Sequence, residues 1–203
     1  MRRTVMLVSV MGLLLAACGS SSGKQAVQST PTTVVAPDTS TSTLPFTTTS
    51  LPCQPVPMPN TPVSNPSPSK AVLLTAVRES TDGCVDHIVF DFKGKYPDAP
   101  GYSLTYGTPP FVQDGSGAPV PVAGTAFIVV RLSPAYGYDF ETGVQTYNGA
   151  HRIAATGANH VTEVVETGDF EAVVTWVIGL DAKRPFTVEA TGAPAHQLVV
   201  TVS

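Results

Sequence analysis

Hydrophobic and polar positions follow a period of two over most of the chain after residue 70. The alternation is clearest in residues 88–92, 126–132, 174–178 and 198–202, where every second side chain is apolar. Successive side chains of a β-strand point to opposite faces, so this pattern predicts strands with one buried face. Turn sequences rich in Gly, Asp and Asn separate the runs, at residues 82–83, 114–117, 148–149, 167–169 and 192–194.

The pattern predicts nine strands, near residues 71–79, 85–93, 101–107, 119–123, 125–133, 161–166, 170–180, 185–191 and 196–202. No stretch has the period of a long amphipathic helix, and a short helical turn fits only residues 134–142. Trp176 lies in the middle of a predicted strand and is expected in the core. Many short strands joined by tight turns predict an all-β fold, an antiparallel β-sandwich or barrel.

The amino terminus has a different pattern. Arg2 and Arg3 precede the apolar run Val5–Leu15, whose 11 residues are fewer than the roughly 20 that a membrane-spanning helix needs. Residues 1–17 are therefore predicted to be a secretory signal peptide. The sequence Leu15-Ala16-Ala17-Cys18 resembles the bacterial lipobox, which implies that Cys18 carries a diacylglycerol and an amine-linked acyl chain such as palmitate. In the alternative, the protein is secreted without lipid and Cys18 is incidental.

Residues 18–69 are predicted to be the lipidated cysteine and a disordered linker. Positions 19–69 hold 10 prolines and 20 serines or threonines, but their charged residues are only Lys24 and Asp38. Such a segment buries too little apolar surface to offset its chain entropy. We interpret it as a tether between a membrane anchor and a domain at residues 70–203. The threonine-rich stretches suit either a plain spacer or a glycosylated stalk.

Charge and cysteine content narrow the functional class. The chain has a net charge of −4, and loss of Arg2 and Arg3 with the signal peptide leaves 9 basic against 15 acidic residues. This balance disfavours nucleic acid as a partner. Apart from Cys18, the cysteines are Cys53 and Cys84, which form a disulfide or remain as two thiols. An extracytoplasmic location favours the disulfide.

The carboxy-terminal half resembles the AMIN-like domain of bacterial lipoproteins. The resemblance is strongest over residues 168–180 (GDFEAVVTWVIGL), and the segments at 86–92, 100–102, 114–117 and 185–188 follow the same pattern. Departures occur in the last strand, where His196, Gln197 and Thr201 replace charged residues of similar proteins. The resemblance implies a two-sheet β-sandwich in a non-enzymatic, envelope-associated module. AMIN domains proper localise envelope proteins by binding cell-wall glycan.

Sequence motifs for catalysis or metal binding are weak. Ser67 and Lys70 have a penicillin-binding spacing, but Pro68 opposes the helix that this motif requires. The four histidines lack metal-ligand spacing, and the loop residues Asp98 and Asp114 lack a full set of calcium ligands. Carboxylates that resemble a glycosidase pair are interpreted as solvated residues and a turn cap: Glu163, Glu166, Asp169 and Glu171. We expect no catalytic residues, no metal and no cofactor.

All six tyrosines lie between residues 96 and 147. Tyrosine has a flat apolar face and a polar tip, which suits it to stacking on sugar rings, although most of these residues are expected to pack along one end of the sandwich. Tyr136 and Tyr138 are the stronger candidates for ligand binding because residues at i and i+2 of an extended segment face the same way. Tyr102 is the third candidate.

These observations predict a lipoprotein anchored at the extracytoplasmic face of the cell membrane. Its domain is expected to bind peptidoglycan or another wall glycan without catalysing a reaction. The alternative is a protein-interaction subunit that docks an envelope enzyme or a secretion complex.

Overall fold

A computed structural model describes residues 61–65, 70–94 and 101–203 of the chain. Two sheets account for most of this part. The larger has six strands, in the spatial order β1 (Val63–Asn65), β4 (Tyr102–Gly107), β7 (Ala126–Leu132), β13 (Val173–Leu180), β12 (Val161–Phe170) and β11 (Arg152–Ala154). Its neighbouring strands are all antiparallel.

The smaller sheet has five strands, in the order β14 (Phe186–Thr191), β15 (Gln197–Val202), β3 (Val85–Lys93), β2 (Val72–Asp82) and β8 (Ala135–Tyr136). Its edge strand β8 runs parallel to β2, and the other pairs are antiparallel. The remaining strands form two short hairpins, β5 (Phe111–Val112) with β6 (Pro119–Val120) and β9 (Tyr138–Asp139) with β10 (Val144–Gln145).

The core lies between the two sheets. Apolar side chains of both sheets form one buried cluster that includes Phe90 of β3 and Trp176 of β13. These two rings pack edge to face with their centroids 6.1 Å apart, and Tyr106 of β4 meets Phe186 of β14 at 5.5 Å. The molecule is therefore an antiparallel-rich β-sandwich, and the predicted fold class is confirmed.

Most predicted strands occur within a few residues of their expected bounds. The predicted strand 85–93 matches β3, and Trp176 is fully buried as expected. The strand predicted over 119–123 is reduced to Pro119–Val120. Strand β1 lies inside the stretch that its composition assigns to the tether, so the sheet includes residues on the amino-terminal side of Lys70.

The short helical turn expected within residues 134–142 is wrong. This stretch contains β8 and β9, and no described residue of the chain is helical. Its backbone groups bond to other elements: Ala135 N–H donates to Ala172 O, and Gly137 O accepts from Thr146 N–H and Tyr147 N–H. These hydrogen bonds to other elements keep the segment extended, although its local sequence is compatible with a helical turn.

The turn predicted at residues 167–169 is also displaced. Strand β12 continues through Gly168 and Asp169 to Phe170, with a register shift between Glu166 and Gly168. The chain reverses at Glu171 and Ala172, whose φ angles are 50° and 62°. A Cβ at Gly168 would lie 2.0 Å from Asp114 Oδ2, so glycine permits a close approach there and does not form the turn.

Candidate functional site

Tyr136 and Tyr138 lie on one continuous extended segment at the edge of the smaller sheet. β8 places Tyr136 beside Leu73 of β2, and β9 places Tyr138 beside Gln145 of β10. Both tyrosine side chains are half-buried and line the same groove. Tyr136 and Tyr138, which we expected to face the same way from their i, i+2 spacing, therefore lie in one groove.

A third aromatic residue completes this site. The Phe140 ring packs edge to face against both tyrosines, with centroid distances of 5.0 Å to Tyr136 and 5.1 Å to Tyr138. Phe140 is nevertheless 72% exposed. We call Tyr136, Tyr138 and Phe140 the aromatic cluster.

The turn between β9 and β10 holds Phe140 at the surface. Asp139 Oδ1 accepts hydrogen bonds from the Glu141 and Thr142 N–H groups at 2.9 and 3.4 Å. Gly143 has a φ of +72° and donates its N–H to Asp139 O. Sequence reasoning missed Phe140, although Asp139 and Gly143 are the turn residues that would have placed it at a hairpin tip.

The aromatic cluster forms one side of a groove of about 510 Å³. Leu73 and the charged residues Lys70, Lys93, Asp139 and Glu141 line the rest of it, together with Ala71, Gly94 and Thr142. Apolar faces beside several hydrogen-bonding groups are typical of a site for a ligand that is itself amphipathic.

Asp169 supports the aromatic cluster from behind. Its Oδ2 accepts a hydrogen bond of 2.7 Å from the N–H of Gly137, the residue between the two tyrosines. The Gly137 carbonyl accepts from two further backbone donors, Thr146 N–H at 2.8 Å and Tyr147 N–H at 2.9 Å. A Cβ at position 137 would lie 2.8 Å from Asp169 Oδ2, so this contact requires glycine.

Asp169 belongs to a second, polar pocket of about 320 Å³. Its walls include Asp114, Tyr147, His151 and Glu166, and the exposed Phe170 lies at its rim. The His151 ring contacts the Glu166 carboxylate through Nδ1. Burial raises the pKa of Glu166, an effect that His151 opposes and the Asp169 charge reinforces. Burial also raises the pKa of Asp169, and the hydrogen bond from the Gly137 N–H, which lowers it, offsets only part of this rise.

The interpretation of the carboxylates as solvated residues is wrong for two of them. Glu163 is 8% exposed, and Arg152 Nη1 donates to both of its oxygens at 2.6 Å. The Glu166 side chain is 11% exposed. Glu171 lies in the β12–β13 turn and is exposed, as the sequence indicated. Burial of these two carboxylates escaped notice because the residues that cover them, such as Ala123 and Arg152 for Glu163 and His151 for Glu166, are distant in sequence.

Tyr102 does not join Tyr136 and Tyr138. It lies on β4 of the larger sheet and lines a separate groove of about 410 Å³ with Arg131 and several serines. Two other tyrosines have structural roles: the Tyr106 hydroxyl donates to Arg184 O, and the Tyr147 hydroxyl donates to Ala150 O at 2.6 Å. Burial raises the pKa of Tyr147 to about 12, and the Glu166 charge acts in the same direction.

Two of the three cysteines lie outside the residues that the structure describes. Cys84 lies in the turn between β2 and β3, whereas Cys18, Cys53 and Tyr96 fall outside the described residues. Lipidation of Cys18 and pairing of Cys53 with Cys84 therefore stay predictions. Within residues 61–65, 70–94 and 101–203, no helix has the length and hydropathy of a membrane span, and no cluster of three His, Cys, Asp or Glu side chains has an arrangement suited to a metal ion.

Comparison with known proteins agrees with the fold. The family model described as the AMIN-like domain matches residues 72–203. Searches of curated proteins and of solved structures find no match. An AMIN-like domain indicates an envelope-associated module. Because the matched region covers more than half of the sequence, the chain belongs to the AMIN-like domain family.

Proposed function

We propose that this protein is a membrane-anchored lipoprotein whose domain binds a cell-wall glycan, peptidoglycan foremost, at the aromatic cluster and without catalysis. The observation that carries the proposal is the position of Phe140. Its ring is 72% exposed, yet it is held against Tyr136 and Tyr138 by direct ring contacts. A single exposed apolar residue needs no explanation, but three aromatic rings around one groove form a surface suited to a ligand.

The chemistry of the groove suits a sugar polymer. A pyranose ring has an apolar face of C–H groups and a rim of hydroxyls. Aromatic rings match the first, and the tyrosine hydroxyls and the charged side chains of Lys93 and Asp139 match the second. Because Gly137 is fixed by three hydrogen bonds, the cluster loses little conformational freedom when a ligand binds.

The anchor and the tether place the groove near such a ligand. Acyl chains on Cys18 would give durable attachment to the membrane. Because β1 fixes Val63–Asn65 in the sheet, the proposed tether is residues 19–62, and a flexible coil of 44 residues has a root-mean-square span of about 36 Å, which its prolines extend further. A domain on this tether is within reach of a wall that lies outside the membrane.

Sedimentation with purified insoluble peptidoglycan tests the proposal. We expect the full chain to sediment with the wall material, and a Tyr136→Ala, Tyr138→Ala double variant to remain mostly in the supernatant. A thermal unfolding curve for the variant would show that its fold is retained. Wild-type protein that stays in the supernatant would overturn the wall-binding proposal.

Docking of an envelope protein is the second candidate function. Val144 on β10 is 56% exposed beside the Phe140 turn, so an apolar contact surface is present on this hairpin. Crosslinking in cells at position 144, followed by identification of one protein partner, would favour this candidate. Crosslinks to wall material alone would favour the first.

A further inference from the structure

The outer face of the larger sheet carries a second groove, which is separate from the aromatic cluster. Its floor is a row of cross-strand neighbours: Ser64 of β1 pairs with Ser103 of β4, and Ser103 pairs with Arg131 of β7. Residues paired in this way project from the same face with their Cβ atoms about 5 Å apart. The flanking residues Leu104 and Val130 are fully buried, so the row itself faces outwards.

Arg131 differs from the other arginines of the described chain. Arg78, Arg152 and Arg184 each form an ion pair with a carboxylate, those of Asp91, Glu163 and Asp181 respectively. Arg131 is exposed and pairs with no carboxylate of residues 61–65, 70–94 or 101–203. Its guanidinium therefore retains its donors for an external partner.

One acidic side chain, that of Asp114, contacts the neighbour of Arg131 on the next strand. Thr175 of β13 lies opposite Arg131, and its hydroxyl donates to Asp114 Oδ2 at 3.4 Å. Asp114 forms no ion pair with Arg131 in the described structure. Arg131 is the one charged side chain among the described residues that line the groove, although the chain as a whole carries −4.

Neutral hydrogen-bonding side chains line the same groove as Arg131. The groove, of about 410 Å³, is lined by Ser64, Asn65, Ser103 and Ser133 and by the partly buried Tyr102, and none of its described lining residues is acidic. The hydroxyls come from β1, from β4 and from the segment after β7. The guanidinium fork alone fits both a carboxylate and a phosphate, and the additional hydroxyls favour the tetrahedral phosphate, which has further acceptor oxygens.

We propose that this groove, which we call the Arg131 groove, binds the phosphate group of a hydroxyl-bearing phosphate ester. The guanidinium of Arg131 supplies the charge-assisted hydrogen bonds, and the serine hydroxyls donate to the remaining oxygens. The site is independent of wall binding at the aromatic cluster, because it lies on the other sheet and shares no residue with that groove.

Titration of the full chain, labelled with ¹⁵N and held in a neutral detergent, tests this inference. The probes are inorganic phosphate and glycerol 3-phosphate, with acetate as the planar comparison, all at constant ionic strength. We expect saturable amide shifts at Ser103, Arg131 and Ser133. Arg131→Gln should weaken phosphate binding about tenfold or more, as expected for the loss of a charge-assisted interaction.

Arg78→Gln is the matched control, since it removes a surface arginine that is already ion-paired. It should leave the affinity for phosphate unchanged. Arg131→Lys retains the charge but not the fork, so its affinity should fall between those of the wild type and Arg131→Gln. Equal affinity of Arg131→Gln and the wild type, shifts without saturation, or acetate binding as tight as phosphate would each overturn the proposal.

Discussion

Asp86 is fully buried on β3, and its carboxylate is satisfied almost entirely by backbone groups. It accepts hydrogen bonds from the N–H groups of Asn159 at 2.9 Å, His160 at 2.7 Å and Val161 at 2.9 Å. This carboxylate thereby joins β3 of one sheet to the start of β12 in the other. Burial by itself would raise the pKa of Asp86, but the three donors outweigh it and hold the pKa below its ordinary value.

Replacement of Asp86 should be strongly destabilising. Asp86→Ala leaves the buried N–H of Val161 and the part-buried N–H groups of Asn159 and His160 without their acceptor, so we expect a loss of about 3 kcal/mol in the free energy of unfolding. Asp86→Asn retains one acceptor oxygen and should cost less. Chemical denaturation measures both, with the exposed Asp82→Ala as control. Equal stability of Asp86→Ala and the wild type would contradict this role.

The stability of the domain should depend on pH through Glu166 with the opposite sign to its dependence through Asp86, because folding raises the pKa of Glu166 and lowers that of Asp86. An acid whose pKa is raised on folding adds stability that is complete below its unfolded pKa and is lost as the pH rises through its folded pKa. Acidification from neutral pH toward the ordinary range of glutamate should therefore stabilise the domain through Glu166. Below the ordinary pKa of aspartate, stability should fall again as Asp86 becomes protonated.

Unfolding of Glu166→Gln across this pH range checks the prediction. The variant should show a smaller rise in stability between neutral pH and about pH 4.3, the ordinary glutamate value, because Glu79 and Asp169, whose pKa values are also raised, still contribute to it, and it should keep the fall below that pH. Glu171→Gln is the matched control because Glu171 is exposed in the adjacent turn. A rise of the same size in Glu166→Gln and the wild type would contradict the assignment.

At the scale of elements, close approach of the 123–125 segment to β13 depends on a glycine. A Cβ at Gly179 would lie 1.9 Å from Ala123 O, the same carbonyl that accepts a hydrogen bond of 2.6 Å from the Thr162 hydroxyl. Thr125 N–H also donates to Leu180 O. The segment therefore crosses the sheet in direct contact with its backbone.

Gly179→Ala should displace this segment. We expect a loss of about 2 kcal/mol or more in the free energy of unfolding, as for overpacking of a filled site. Thr187→Ala, at an exposed position of the edge strand β14, is a control that should change stability little. Denaturant unfolding curves of the two variants would show the difference, and a fully stable Gly179→Ala protein would contradict the close contact.

The sequence predicted strands well and turns less well. Alternating runs such as residues 85–93 define strands because burial of one face imposes the period itself. Gly168, in contrast, indicated a turn but lies within β12, where it admits Asp114. The actual reversal uses Glu171 and Ala172, which carry no local turn signal. A glycine that serves close packing has the same sequence signature as one that serves a turn.

The candidate site, too, was predicted only in part, because sequence patterns describe neighbours along the chain and not contacts between distant residues. Tyr136 and Tyr138 are neighbours in sequence, so their common face followed from strand geometry alone. The contact of Asp169 with Gly137 joins residues 32 positions apart, and the row from Ser64 to Arg131 spans three strands. Such convergence depends on the order of strands in a sheet, which alternation does not specify.

At the scale of the whole molecule, the proposed parts are a lipid anchor, a tether and a binding domain. Cys18→Ala should release the protein from the membrane fraction, because the apolar run Val5–Leu15, with only 11 residues, is too short to span a bilayer. Membrane fractionation of cells that express each form measures this. Retention of Cys18→Ala in the membrane fraction would contradict lipidation, whereas Cys84→Ala should remain bound and serves as the cysteine control.

The central claim is that the aromatic cluster holds the wall ligand, and a pair of phenylalanine variants tests it most directly. Phe140 and Phe170 are 72% and 53% exposed, but only Phe140 belongs to the cluster. Their alanine variants lose the same side chain, and thermal unfolding of each checks that its fold is retained. The measurement is the fraction of each variant that sediments with insoluble peptidoglycan. We expect a marked loss for Phe140→Ala and none for Phe170→Ala. Equal sedimentation of Phe140→Ala and the wild type would contradict wall binding at the aromatic cluster.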